Sequence, residues 1–535
     1  MARGYRRVDR DQPFLFPPDM REWLPAGDPV WLVIEAVSLL DTSAFHAGRK
    51  TGGAGAAGYD PDMMVTLLIW AYANGVTSSR RIERLCARDV AFRVICAGHL
   101  PDHVTVARFR QQFAETAAGL FAQVLVLCAR LGMGQVGTVA VDGTKIAASA
   151  SADANRTEEG LRKLAAELAA RHAETDAAED ALFGDGRGDD DPGDPSTRRE
   201  RVAAALASLE AERERREAEA AADRARAAQA VQAARAGTPV RGMPPAGTEV
   251  TLAAQALARA RAEHQARAAA WHAAAAAGRR PRGKPPVPTE DYTRVRAART
   301  RLERAQAREA ARQAAAAQKD RQKAPPVRNV TDPGSRLMPV RGGGFIQGYN
   351  AQNVASGDGL IIATRLTDDT TDTRWYEPMT GDAAAAAAAM AAARVDDSAA
   401  NTQIGLVLAD AGYLSEANLT CDGPDRLIAT GKRRDLERRA RQAAGSADRP
   451  GPGGVIAAMA ARLATEEGIA AYRQRGRIAE TPHGRIKHNM RLRQLSVRGM
   501  RKAAGEWTFA CAVHNLMMAI TSGHLTTWAL AGLAG

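Results

Sequence analysis

A valine-rich run, "VGTVAVDGTKIAASAS" over 136–151, is followed by a long stretch, 153–327, with no strand pattern, and strand signals then return at 344–366. A sheet built from such a chain cannot take its strands consecutively. It must begin before the interruption and be completed after it. The first run alternates and is rich in β-branched residues, as a strand requires. "GGFIQGYNAQNVAS" and "GLIIATRLT" are separated by Gly357-Asp358, a hairpin signal. A run of alanines (382–394) predicts a helix, and "IGLVLAD" and "DRLIATGK" predict two more strands. The order predicts one α/β domain on a mixed sheet, split by an insertion after its first strand.

The interrupting stretch is made of strong helix formers, as in "RVAAALASLEAERERREAEAAADRARAAQAVQAARAG". Three turn-rich breaks, "GDGRGDDDPGDPS", "GTPVRGMPPAG" and "GRRPRGKPPVPTE", predict long helices folded back on one another. The acidic run Asp185, Asp189, Asp190, Asp191 and Asp194 lacks the spacing and closing Glu of a calcium loop and reads as a solvated linker. Residues 1 to about 130 read as short helices joined by brief turns. Arg80, Arg81, Arg84, Arg88, Arg108 and Arg110 lie on them, which fits either a helical DNA-binding unit or a bundle with a solvated basic face.

Two aspartates close apolar strands: Asp142 in "VAVDG" and Asp410 in "LVLAD", 268 positions later. On neighbouring strands they would project toward one sheet edge, where paired carboxylates can hold Mg²⁺ through oxygen ligands. Each has an ordinary alternative as a turn residue. A third acid, Glu480, lies in "AYRQRGRIAETPHGRIKHNMRLRQL", with Pro482 suggesting a helix start. Lys487 is two helical turns beyond Glu480, on the same face. Arg473, Arg475, Arg477, Arg485, Arg491 and Arg493 crowd the same segment. The formal net charge of +12 favours a polyanionic partner. Five scattered cysteines suggest neither structural zinc nor a disulfide framework. The N-terminus, "MARGYRRVDRDQPFLFPP", has charges and prolines where a signal peptide needs an apolar run, and no uninterrupted apolar span reaches membrane length. A soluble, cytoplasmic, nucleoid-associated protein is expected.

In this order "VDGTKIAASAS", "GGFIQGYNAQ", "LADAGY", "YRQRGRIAETPHGRIK" and "CAVHNLMMA" resemble bacterial insertion-sequence transposases of the DDE type, over roughly 15–150 and 328–522. The resemblance implies a ribonuclease H-like catalytic domain (131–152 with 328–525), an N-terminal helical domain (1–130) and a helical insertion (153–327). It implies Asp142, Asp410 and Glu480 as catalytic and metal-binding acids, with two Mg²⁺ or Mn²⁺ ions. Tyr472, Arg475, Lys487 and Arg485 would contact DNA phosphates, joined by Arg84, Arg108 and Arg110 of the N-terminal helices. The expected partners are duplex DNA, as element ends and target, and further copies of the chain in a dimer or larger assembly. The implied activity is strand cleavage and strand transfer; the alternative is an inactive DNA-binding protein or regulator derived from a transposase. Thr481-Pro482-His483 departs from the family, in which proline directly follows the glutamate. Glu466 and Glu467 compete with Glu480, and Asp368, Asp369 and Asp372 compete with Asp410.

Overall fold

A computed structural model describes residues 19–47, 58–183, 197–236, 247–278, 284–322, 324–340, 342–394, 403–431 and 454–534. The N-terminal segment "MARGYRRVDRDQPFLFPP" and the acidic run at 185–194 lie outside these residues.

Seven helices come first: α1 (Pro29–Ser38), α2 (Ser43–His46), α3 (Pro61–Ala73), α4 (Ser79–Arg88), α5 (Val90–Ile95), α6 (His103–Gln111) and α7 (Phe113–Arg130). Aspartates set four of their starts. Asp28, Asp60, Asp89 and Asp102 are extended N-caps whose carboxylates accept the first free backbone N–H groups, and Pro29 and Pro61 follow two of them in the first turn. α7 is the one described helix long and apolar enough to cross a membrane, but its apolar face is buried. It packs along the long C-terminal helix Met500–Thr521, where the rings of Phe113 and Phe509 stack at 4.0 Å. Gly505 lies against the Phe113 carbonyl, so a side chain there would force the two helices apart.

The mixed sheet uses strands from both sides of the interruption. β1 is Thr138–Ala147; β2 (Asn155–Thr157) and β3 (Val327–Asn329) pair with each other alone. β4 (Arg336–Pro339), β5 (Phe345–Ser356), β6 (Ile361–Thr367), β7 (Leu406–Ala409) and β8 (Asp425–Ile428) complete the set. The order is β4-β5-β1-β7-β8, with β6 also on β5. β1 is antiparallel to β5 and parallel to β7. The hairpin predicted at Gly357-Asp358 joins β5 to β6, and the Asp358 carboxylate ties it down by accepting the N–H groups of Gly134 and Gln135. Helix α12 (Tyr376–Ala393) starts six residues before the predicted alanine run. Asn515 extends the polar pairing of β6: its side chain accepts from Ile361 N and donates to Ile361 O, while neighbouring His514 is buried against the Gly359 carbonyl.

Between β2 and β3 run α8 (Glu158–Phe183), α9 (Arg198–Arg235), α10 (Thr248–Ala276) and α11 (Thr293–Gln322). α8 and α9 share a small core of Leu161, Val202, Ala205 and Leu209. α9 is fastened to the sheet side by polar contacts. Buried Arg328 pairs with Glu212, Arg336 donates to Ser208 and Asp368, and Arg374 pairs with Glu219. The crossover from β7 to the parallel β8 passes through α13 (Glu416–Thr420).

Candidate active site

β1 and β7 run parallel with Val141 opposite Ala409, so the next residue of each chain, Asp142 and Asp410, stands where the β1–β7 ladder ends; β1 itself runs on to Ala147, with Asp142 paired to Asn353 of β5. Residues 139–141 and 407–409, just before the two acids, are buried. Asp410 then turns the chain: its carboxylate accepts the N–H of Gly412 at 2.8 Å. It is therefore both a turn residue and a cleft residue. Burial pushes its pKa up, opposed by Arg475 and reinforced by the charges of Asp142 and Asp372.

The segment expected to start a helix at Glu480 is instead one continuous helical run. Glu466–Arg475 is α-helical, Gly476–Glu480 is a π turn, Thr481–Gly484 is α-helical and Arg485–Asn489 is a second π turn. The wider π turn accommodates the ring and missing N–H of Pro482 inside the run. Glu480, His483 and Lys487 line one cleft of about 450 Å³ with Asp142 and Asp410. The exposed Glu480 needs no burial to reach it.

Arg475 holds the two aspartates together. Its Nη2 lies 2.9 Å from Asp142 Oδ1 and 3.5 Å from Asp410 Oδ2, with its side chain 10% exposed. Burial lowers the guanidinium's pKa, but Asp142, Tyr472, Asp410 and Glu480 together more than reverse this. Lys487 donates to Thr144 Oγ1 and to the Lys145 carbonyl, both at 2.6 Å, and burial brings its pKa down to about 8. His483 is almost fully buried with Nδ1 3.8 Å from Asp142 Oδ2, and its Nε2 has no hydrogen-bond partner among the described residues.

Asp372 is a fourth acid in this cleft. Its Oδ1 accepts from Asn350 (2.7 Å) and Gln352 (2.6 Å), both fully buried on β5, and lies 3.4 Å from Lys145 Nζ. Two glycines make its approach possible. A Cβ at Gly143 would lie 2.5 Å from Asp372 Oδ1, and one at Gly412 would lie 3.3 Å from Oδ2. These glycines directly follow Asp142 and come two residues after Asp410. Sequence reasoning weighed Asp372 only as a rival to Asp410; the glycine after Asp142 was the one local signal that something approaches there. Asp368 and Asp369 turn elsewhere, to Arg336 and to the Trp375 indole N–H.

The other expected DNA contacts are dispersed. The Tyr472 hydroxyl donates to the Ala409 carbonyl at 3.3 Å. Arg485 leans on Met518 of the C-terminal helix. Arg84 and Arg108 are exposed on α4 and α6, while Arg110 is buried and donates to Ser496 Oγ at 2.6 Å. A separate exposed trio, His46, Asp60 and Asp62, could bring three ligand atoms together in the N-terminal helices. Asp60 there already serves as a helix cap.

No curated protein and no solved structure matches the chain. A family model described as a transposase domain (DUF772) matches residues 18–112, and one described as a transposase DDE domain matches residues 453–519. The first match covers α1 to α6; the second covers Arg475, Glu480, His483, Lys487 and most of the C-terminal helix. Both ends of the chain are thus similar to transposase domains, the second of the DDE type, on either side of a middle that carries the paired aspartates.

Proposed function

We propose that the chain cuts and joins phosphodiester bonds at the ends of an insertion sequence, with Asp142, Asp410 and Glu480 as its catalytic acids. The observation that carries this is their convergence on one cleft from three distant parts of the chain. The division proposed with it is a helical DNA-binding unit at 1–130, a split ribonuclease H-like catalytic unit at 131–152 and 328–525, and a helical insertion at 153–327.

The donor set fits hard divalent ions: its carboxylates offer oxygen ligands, and a guanidinium already sits between two of them. Asp142, Asp410 and Glu480 would hold such ions, with Asp372 beside them; Mg²⁺ or Mn²⁺ supplies Lewis-acid stabilisation of charge on the attacking and leaving oxygens. Lys487 and Arg475 place positive charge where phosphate charge develops. Asn350 and Gln352 fix Asp372, so the cleft meets its substrate preorganised. Strand transfer repeats the same in-line displacement with a DNA 3′-hydroxyl as nucleophile and needs no covalent protein intermediate. Assembly on paired ends calls for at least two copies of the chain.

The test uses purified full-length protein and DNA carrying the inverted repeats that flank its gene, with Mg²⁺ or EDTA. Metal-dependent nicking at the repeat ends supports the reading. Tight binding without nicking favours a DNA-binding regulator instead.

A further inference from the structure

A second large concavity lies outside the acid cleft, between the N-terminal helices and the segment leading into the C-terminal helix. It has a volume of about 1170 Å³. Arg80 and Arg108 are on one wall, and Arg491, Arg493, Arg498 and Lys502 are on the other. Among the described residues no carboxylate lines it, and no Phe, Tyr or Trp does.

We infer that this groove binds the sugar–phosphate backbone of duplex DNA and carries it from the N-terminal helices to the acid cleft. The inference rests on the transposase reading above.

Three features point to phosphate. α4 begins at the groove: Ser78, its N-cap, lines it with Ser79 and makes no side-chain capping bond, so the partial positive charge at the start of a ten-residue helix lies beside it. Arg110 also lines the groove, and it is 5% exposed. Its Nε and Nη2 have no hydrogen-bond partner among the described residues. A buried guanidinium with unused donors is costly unless an anion completes it. The lack of stacking rings disfavours splayed single-stranded bases, which bind on aromatic platforms.

The two walls form one frame. Arg110 Nη1 donates to Ser496 Oγ, which donates to Glu506 at 2.5 Å, and Tyr72 donates to the same carboxylate at 2.6 Å. The Arg491 stem lies against Gly75, where a Cβ would come within 3.0 Å of it. The frame is also bonded to the catalytic strand. Ala147 of β1 accepts from Leu495 N and donates to the Arg493 carbonyl, and Arg498 donates to Ser149 O. Ser149 lines the groove and Asp142 lines the cleft, seven positions apart on one chain. At about 3.3 Å per extended residue that is at most ~23 Å. Duplex DNA rises 3.4 Å per base pair, so the span is about seven base pairs. The near edge of the groove, at Ser149, should therefore lie within about seven base pairs of the cut bond.

The test compares full-length wild type with Arg80→Ala/Arg108→Ala/Arg498→Ala, all exposed positions outside the acid cleft. The probe is a labelled duplex of arbitrary sequence in EDTA, titrated over a range of salt, with a single strand of equal length alongside. The expected result is a tenfold or greater loss of duplex affinity at low salt. The slope of log affinity against log salt should shrink by about 2.7, at about 0.9 per lost phosphate contact. Thermal unfolding of the variant should match wild type. Duplex affinity within twofold and an unchanged slope, in a protein whose wild type cuts repeat ends with Mg²⁺, overturns the groove alone. A loss confined to the single strand overturns the duplex assignment. A wild type that binds duplex through these residues but cuts nothing overturns the transposase reading and leaves the groove standing.

Discussion

Asp142 and Asp410 share a single guanidinium nitrogen, Nη2 of Arg475, at 2.9 and 3.5 Å. Two carboxylates so close repel each other, and the arginine relieves that repulsion in the metal-free protein. Arg475→Ala should therefore destabilise the metal-free protein by about 3 kcal/mol, the usual scale for breaking a buried pair. Mg²⁺ should then raise the melting temperature of the variant more than that of wild type, because the ion takes over the same task. Equal Mg²⁺ responses in the two proteins would show that Arg475 and the ion do not exchange places.

Removing one acid should separate chemistry from stability. Asp410→Asn should lower cleavage by at least about a thousandfold while leaving duplex affinity in EDTA within a few-fold. The Asp410 carboxyl is pushed up by burial and by Asp142 and Asp372, so folding favours its neutral form. The neutral amide should stabilise the metal-free protein by about 1 kcal/mol, a gain bought with lost activity. Denaturant midpoints without metal, beside single-turnover cleavage, read the two effects. Glu480→Gln is exposed and should lose cleavage without the stability gain.

Asp372→Asn should also impair cleavage, though the position belongs to none of the three acids implied by family resemblance. Two amide N–H groups from Asn350 and Gln352 aim at Oδ1, and an asparagine must keep its oxygen there and turn its own NH₂ toward the acids. We expect a cleavage loss of about tenfold to a hundredfold and a higher Mg²⁺ requirement. Wild-type Mg²⁺ dependence in the variant would reduce Asp372 to a structural acid.

Lys487 gives the site a pH limit. Its ammonium is held down to a pKa of about 8 by burial. The charge is therefore fully present below that pH and lost as pH rises through it. Duplex affinity in EDTA should fall between pH 7 and 9 by up to about tenfold, the scale of one phosphate contact. Lys487→Arg stays charged and should flatten the profile. A pH dependence unchanged by that substitution would place the titrating group elsewhere.

Glu506 tests the frame that joins the two halves of the chain. It is fully buried and accepts from Tyr72, from Ser496 N and Oγ, and from Val497 N. Glu506→Ala should cost about 3 kcal/mol, because several buried donors lose their acceptor together. A loss below 1 kcal/mol in chemical denaturation would show that the frame repacks.

The strands carrying the acids were legible because each opens with an apolar run leading to a carboxylate, although β1 continues past Asp142 to Ala147, and the face shared by Glu480 and Lys487 was legible from helical spacing. What stayed hidden is what three-dimensional approach decides. Asp372 sits in a Thr/Asp-rich loop, and only the space above Gly143 and Gly412 brings it into the cleft. Arg110 reads as one more surface cation, yet it is buried beside Tyr72 and Ser496. Pro482 suggested a helix start because local rules place proline there; the π turn before it lets the helical run continue. The short strands β2, β3 and β4 carry too few residues to show a period.

The pairing of β2 with β3 brings the chain's departure into the insertion and its return within one strand spacing, about 5 Å. Beyond that ladder and the α9 contacts, the excursion is closed, and the sheet does not sense its length. Doubling such an excursion costs only about 0.6 kcal/mol in closure entropy. The α10–α11 hairpin, beyond the α9 contacts with Arg328, Arg336 and Arg374, is thus an interchangeable module. Lineages could lengthen it, trade it or shed it while the four acids kept their places.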